Sequence, residues 1–325
     1  MEFKTTHLIQ PGLLLALLAA GMPWAMAASA AGPPPAPLQA GRVGWTRIDL
    51  EAHKVFMSAR TTAEWAIEDG PAAASRLIAL PTENGRGAVI PPGPAVLTLT
   101  VMAEIPGTRS ATTLWMDPGT ANSLQYEIVD SGRRHRKRLV RFAPDGAYQR
   151  TRRPRKSEDA TKPDTWTDLS ADFWPYGHEV AGAPVIDSLS LLYVAAASGL
   201  DRPGDRLEVL VYQRRELVRV TLKVDGEVNT PVAYRATGSD GARVCRGSAR
   251  ALRLRLSVLP LGPATPDFDF LGLKSDIAVL LEPELRVPLR IEGRAAVVGR
   301  VTSTVKEVRL KAGASCPRGI SGSPD

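Results

Sequence analysis

The chain has 325 residues, of which 44% are apolar and 23% are charged, and its formal net charge at pH 7 is +7. The apolar fraction excludes a disordered chain, and a count of two cysteines excludes a disulfide-dense mini-scaffold. The 28 glycines and 27 prolines favour strands and turns over long helices.

Residues 1–27 have the pattern of a secretory signal peptide. A polar start contains Lys4, an apolar stretch runs from Leu13 to Ala20, and Ala25 and Ala27 form a small-x-small cleavage site. We therefore expect export to the periplasm through a cleaved signal peptide. An uncleaved membrane anchor is the alternative, although the apolar stretch is short for a span.

The remaining chain is predicted to consist of a linker, one domain and a tail. Residues 28–42 are rich in proline and alanine and are typical of a stiff linker. Residues 43–312 show no shift in composition that demands a second domain, so we expect a single β-rich domain. Residues 313–325 are expected to be a flexible tail.

Alternation of apolar and polar residues dominates the predicted domain. The pattern is clearest from Leu252 to Val258, and it recurs from Leu207 to Tyr212 and from Leu217 to Val224. Turn signals such as Pro144-Asp145-Gly146 separate the predicted strands, and Val287–Val305 resembles a closing hairpin. Strands at such short intervals indicate an antiparallel sheet.

One segment follows a helical pattern instead. Asp187 is a candidate N-cap, an apolar and alanine-rich stretch follows to Ser198, and Gly199 marks the end. Because this stretch is apolar almost all round, we expect a buried helix near 187–198. A second helix is predicted over Thr62–Ile67. The expected fold is mainly β, with a curved antiparallel sheet around the buried helix.

The two cysteines are Cys245 and Cys316, and in an oxidising compartment they predict one disulfide. Such a bridge closes about 70 residues and contributes roughly 4 kcal/mol in the chain-entropy model. Two free thiols are the alternative.

A family resemblance rests on the helical segment and its surroundings. The stretch Val185–Tyr193, the turn Arg202–Asp205 and the closing segments Leu285–Ile291 and Val298–Val301 resemble an uncharacterised bacterial envelope family, domain of unknown function 3108. Ser188 stands where that family more often has proline. The resemblance implies an exported antiparallel sheet like the half-barrel of lipoprotein carriers, and it implies no catalytic residue.

Catalytic and metal-binding motifs are missing from the sequence. His53, His135 and His178 have no metal-ligand spacing, and Asp267 and Asp269 alternate with phenylalanines as in an ordinary strand. We therefore expect no enzyme activity, no metal and no cofactor, with an envelope hydrolase as the remote alternative.

An aromatic loop precedes the predicted helix and contains Trp174, Tyr176 and His178. These three residues are candidates for contact with a ligand. The alternative is a loop that plugs one end of the sheet.

The window from residue 133 to residue 156 holds eleven basic residues and one acidic residue, so the rest of the chain is slightly acidic. The candidate anion-binding residues are Arg133, Arg134, Arg136, Lys137, Arg138, Arg141, Arg150, Arg152, Arg153, Arg155 and Lys156. A hairpin turning at Pro144-Asp145-Gly146 brings the two limbs side by side. Guanidinium groups suit phosphate, and in the envelope the available polyanions are anionic lipid, lipopolysaccharide and wall polymer rather than nucleic acid. The alternative is a solvated hairpin whose charges prevent edge-to-edge pairing.

The sequence therefore predicts an exported envelope protein, a non-catalytic module that binds a lipid-like or anionic ligand. A ligand-free structural or assembly protein with an envelope protein partner is the second hypothesis.

Overall fold

The computed structural model describes residues 36–54, 57–80, 87–177, 180, 182–262, 268–317 and 320–324. These described residues belong to one compact unit. The predicted signal peptide lies outside the described residues and stays a prediction. Within the described residues, no helix is long and apolar enough to cross a membrane.

The described residues form sixteen strands. They are β1 (Trp45–Lys54), β2 (Met57–Asp69), β3 (Ala95–Ile105), β4 (Thr108–Met116), β5 (Ser123–Gly132), β6 (Arg136–Ala143), β7 (Gly146–Arg153), β8 (Asp168–Pro175), β9 (Val185–Ile186), β10 (Arg206–Gln213), β11 (Glu216–Gly238), β12 (Gly241–Pro260), β13 (Ser275–Leu281), β14 (Pro288–Ala295), β15 (Gly299–Leu310) and β16 (Ile320–Pro324).

These strands belong to one sheet, in the order β8-β7-β6-β5-β4-β3-β2-β1-β15-β14-β13-β12-β11-β10-β9, and β16 pairs with β12. The pairs are antiparallel except β9 with β10 and a short second pairing of β11 with β15. Because β15 already lies between β1 and β14, its contact with β11 requires the sheet to curl. The expected mainly β fold with a curved antiparallel sheet is confirmed.

The buried helix lies against the inner side of this sheet. A 3-10 turn at Ser188–Ser190 leads into α2 (Leu191–Ala197), and every residue of α2 is buried. The Asp187 carboxylate accepts a hydrogen bond from the Leu189 amide at 2.9 Å, as expected of an N-cap. The helix predicted near 187–198 is therefore confirmed. A shorter helix, α1 (Gly70–Ala74), follows β2.

The second predicted helix, over Thr62–Ile67, is wrong, because these residues lie in β2. Ala63 and Trp65 are buried in the main core, and the next residue, Ala66, is exposed. Pairing with β1 on one side and β3 on the other overrides the local helical tendency of this segment.

The predicted boundaries at both ends of the domain are wrong. The Leu38 amide donates to the Gly119 carbonyl at 2.7 Å, so the fold begins inside the predicted linker, 28–42. At the other end, a disulfide joins Cys245 to Cys316, with 5.9 Å between the Cα atoms. Within the predicted tail, 313–325, this bridge brings Cys316 against β12, and Ile320 begins β16, which pairs with β12.

Candidate functional site

The basic cluster lies on the hairpin of β6 and β7. Lys137 is opposite Arg152, Leu139 is opposite Arg150, and the turn closes where Ala143 faces Gly146. A Cβ atom at Gly146 would lie 2.5 Å from the Trp174 carbonyl oxygen of β8, so the close packing of β8 requires glycine there. The predicted pairing of the two basic limbs is present in the structure.

Strand alternation divides this cluster between two faces of the hairpin. The inner face carries Val140 and Phe142, which belong to the same core as α2. The basic residues that share the inner face are Arg136, Arg138 and Arg153. The outer face carries Leu139 and the basic residues Lys137, Arg141, Arg150 and Arg152. Arg133, Arg134, Arg155 and Lys156 lie beyond the strand ends. The eleven predicted anion-binding residues therefore do not form one surface.

Arg141 is not an anion-binding residue of the surface, and this prediction is wrong. Its side chain is 3% exposed and donates to the carbonyl oxygens of Ile78 and Leu124. Burial lowers the pKa of Arg141 to about 10. The guanidinium holds the segment after α1 against the outer face of the sheet.

Three further cations of the cluster are engaged within the protein. Arg136 forms an ion pair with Asp130 at 2.6 Å. Lys137 pairs with Glu127 at 3.0 Å and with Asp164 at 2.6 Å. The Arg138 guanidinium lies 5.9 Å from the centre of the Tyr126 ring, and its buried Nε has no hydrogen-bond partner among the described residues.

The loop after β7 supplies the acid that reaches Lys137. Glu158 accepts hydrogen bonds from the amides of Arg155 at 2.7 Å and Thr167 at 3.0 Å, which closes the loop on itself. Trp166 is 2% exposed, and its indole donates to the Asp159 carbonyl at 2.9 Å. From residue 127 to residue 168 the chain has twelve basic and seven acidic residues. The window from residue 133 to residue 156 contains one of these seven acids, so it overstates the net charge of this region.

Five cations remain at one end of the hairpin, and we call this group the cationic end. Its members are Arg133, Arg134, Arg153, Arg155 and Lys156. All five are exposed, and none forms an ion pair with a described residue, although the charge of Arg155 acts on the Glu158 carboxylate that binds its amide. The pairing of β6 with β7 brings these five residues to the same end of the hairpin, because the start of β6 lies beside the end of β7. Asp168 lies opposite Arg153 on β8 without forming an ion pair with it.

A small cavity opens on the outer face beside the cationic end, and we call it the hairpin cavity. Its volume is about 60 Å³, and it is lined by Lys137, Leu139, Arg150, Arg152 and Asp164. Arg150 forms no ion pair with a described residue.

The described residues of the candidate aromatic loop, Trp174 and Tyr176, lie in different environments. Tyr176 is 5% exposed, donates to the Ala143 carbonyl at 3.1 Å and lies with its ring 5.4 Å from that of Tyr212. Burial raises the pKa of Tyr176 above its usual range. Trp174 is half-buried, with the Arg215 guanidinium 3.7 Å from its ring centre. His178 lies outside the described residues. Tyr176 therefore packs in the core, in agreement with a loop that closes one end of the sheet.

A second, open pocket of about 380 Å³ lies where β1, β2 and β3 meet. It is lined by Glu51, His53, Ser58, Ala59, Arg60, Glu104, Ile105 and Pro106. The Arg60 guanidinium donates to Glu51 at 2.7 Å and lowers the pKa of that carboxyl. Asp267 lies outside the described residues, whereas Asp269 pairs with Lys274 at 3.1 Å. Among the described residues, no group of three or more His, Cys, Asp or Glu could hold a metal ion.

Comparisons with protein-family models, with curated proteins and with solved structures found no match. The resemblance to domain of unknown function 3108 therefore stays a prediction.

Proposed function

We propose that the protein is a non-catalytic module of the cell envelope, exported through its signal peptide, that binds an anionic envelope ligand at the cationic end. The observation that carries this proposal is the group of five exposed cations that form no ion pair with a described residue. Most other cations near the hairpin already have an acidic or carbonyl partner. Most of the charge of the cationic end is therefore accessible to an external anion.

The chemistry of these side chains favours phosphate. Four of the five carry guanidinium groups, which remain charged at every physiological pH and donate two parallel hydrogen bonds to an oxyanion. Anionic lipid, lipopolysaccharide and wall polymers present phosphate groups in the envelope. Each exposed cation contributes about 1 kcal/mol near an anionic membrane surface, so several are needed together.

Vesicle binding with charge-removing variants tests the proposal. The triple variant Arg134→Gln, Arg155→Gln, Lys156→Gln removes three charges from the cationic end. The matched control, Arg206→Gln, Arg219→Gln, Lys223→Gln, removes three exposed charges from β10 and β11. With vesicles of ~30% phosphatidylglycerol, we expect the wild type and the control to bind, and the first variant to lose at least about tenfold in affinity.

The salt dependence of vesicle binding is the second part of this test. Binding should weaken as salt rises above about 0.1 M, where the screening length is about 10 Å. Equal binding by the two triple variants, or no vesicle binding by the wild type, would contradict the proposal.

A ligand-free assembly role is the second candidate function. The side of the sheet that faces α2 is filled by packed side chains, and the edge strand β8 exposes five consecutive residues, Asp168–Asp172. An edge strand with unpaired backbone groups can accept a strand from another protein. Capture of one envelope partner by cross-linking, abolished by Leu169→Arg with vesicle binding unchanged, would favour this role.

A further inference from the structure

We propose that the hairpin cavity is a binding site for one phosphate-type oxyanion, and that the Asp164 carboxylate in its lining is an internal substitute, which the ligand displaces from Lys137. This inference deepens the proposed function and rests on it, because it names a second contact point for the same class of anionic ligand. It concerns the outer face of the hairpin rather than the cationic end.

Three cations surround the hairpin cavity. Lys137 and Arg152 face each other across the two strands, and Arg150 lies two residues before Arg152 on the same face. Like charges at this spacing repel unless an anion lies between them. Leu139 forms the apolar part of the lining.

Two acids supply that negative charge: Glu127 on β5, which pairs with Lys137 at 3.0 Å, and Asp164 from the loop after β7, which lines the cavity. The Asp164 carboxylate lies 2.6 Å from the Lys137 ammonium, and the Asp164 carbonyl oxygen accepts from the Arg152 guanidinium at 2.6 Å. Arg150 forms no ion pair with a described residue. The Asp164 carboxylate therefore pairs with Lys137 and acts on the charge of Arg152, while Arg150 is left without a carboxylate partner among the described residues.

The Asp164 carboxylate can move away from Lys137 at a small cost in stability. The Asp164 side chain is 81% exposed, so its departure breaks few buried contacts. An exposed ion pair of this kind contributes little to stability. The loop keeps its other anchors, the Trp166 indole and the Glu158 carboxylate, and Arg152 holds the Asp164 backbone.

The size of the hairpin cavity selects the ligand. Its volume of about 60 Å³ exceeds the ~10–15 Å³ that one water needs. It is far below the roughly 300–1,000 Å³ of pockets that enclose a whole small molecule. It therefore suits one tetrahedral oxyanion, either free phosphate or one phosphate group of a larger envelope molecule. A phosphate has more acceptor oxygens than a carboxylate and can engage Arg150 and Lys137 together.

Calorimetric titration with inorganic phosphate at low salt tests the inference. Asp164→Asn removes the internal carboxylate charge, and we expect phosphate affinity to rise about fivefold to tenfold. Arg150→Gln removes the cation that has no internal partner, and we expect a loss of about tenfold. Asp168→Asn is the matched control, because it removes one nearby exposed carboxylate that does not line the cavity, and we expect less than about twofold change.

Two results would overturn the inference: an Asp164→Asn affinity no greater than that of Asp168→Asn, or an Arg150→Gln affinity equal to that of the wild type. The same variants with vesicles of ~30% phosphatidylglycerol separate a lipid headgroup from free phosphate. Vesicle binding that depends on the cationic end, with no effect of Asp164→Asn or Arg150→Gln on phosphate, would leave the proposed function standing and refute the cavity site. If phosphate affinity responds to Arg150→Gln and Asp164→Asn but the wild type does not bind vesicles, the cavity site would stand and the proposed function would be refuted.

Discussion

The guanidinium of Arg286, which is fully buried, donates a hydrogen bond to the carbonyl oxygen of Ala196 at 3.0 Å. Ala196 lies in the last turn of α2, where carbonyl groups have no partner within the helix. The same guanidinium donates to further acceptors on Ala195, Ser198, Leu200 and Asp201. One side chain from the loop before β14 therefore satisfies the end of the buried helix.

Replacement of this arginine should destabilise the fold strongly. Arg286→Met leaves several buried carbonyl groups without a donor, and we expect the free energy of unfolding to fall by about 3–5 kcal/mol. Arg290→Met on β14 is the control, because Arg290 is half-buried and, among the described residues, forms one ion pair, with Glu292 at 3.5 Å. It should cost less than about 1 kcal/mol. Urea unfolding measures both, and equal midpoints for the two variants would refute the capping role.

The parts of the fold that could be predicted are those that depend on neighbouring residues. Asp187 caps the start of the helical segment, the helix ends at Ala197 with Ser198 as its C-cap, and the turn at 144–146 defines the basic hairpin. The contact of Asp164 with Lys137 could not be predicted, because it depends on how a loop folds back across 27 residues.

The same limit applies to burial. Arg141 lies in an alternating strand like its basic neighbours, and only the distant segment near Ile78 makes it a buried residue. The pairing of the chain end with β12 likewise depends on contacts far apart in sequence, although the two cysteines were a usable signal.

The pH dependence of stability should carry a signature of Asp187. Burial raises the pKa of this carboxyl to about 6, against about 3.9 in an unfolded chain. The folded protein therefore binds the proton more tightly, and stability falls as pH rises from about 4 to about 6. Asp187→Asn keeps an acceptor for the Leu189 amide and has no proton to lose. We expect the variant to gain about 2–3 kcal/mol relative to the wild type between pH 4 and pH 7.

Asp205 provides a control of opposite sign for this measurement. Hydrogen bonds from the amides of Asp201 and Arg202 lower the pKa of Asp205. Its stabilising effect is therefore present at neutral pH and is lost as pH falls through its folded pKa. Asp205→Asn should be less stable than the wild type at pH 7, with a smaller difference at low pH. A difference between the wild type and Asp187→Asn that does not change with pH would contradict the assignment.

Reduction of the disulfide should destabilise the protein measurably. The bridge between Cys245 and Cys316 joins residues 71 positions apart, which corresponds to about 4 kcal/mol in the chain-entropy model. We expect dithiothreitol to lower the urea midpoint of the wild type and to leave Cys316→Ser, already lowered, unchanged. A wild-type midpoint that does not respond to complete reduction, verified by thiol titration, would contradict a stabilising bridge.

Within the basic hairpin, different residues should determine the stability of the protein and its binding of anions. Arg141→Met removes a buried guanidinium that donates to two carbonyl groups, and we expect unfolding to become easier by about 2–4 kcal/mol. Arg134→Met removes an exposed charge of the cationic end and should change stability by less than about 0.5 kcal/mol. Vesicle binding should show the opposite pattern, with Arg134→Met weakened and Arg141→Met unchanged at a temperature where both are folded. Circular dichroism confirms the folded fraction before each binding measurement. If Arg141→Met lost vesicle binding while fully folded, the division of the hairpin into a structural and an anion-binding group would be wrong.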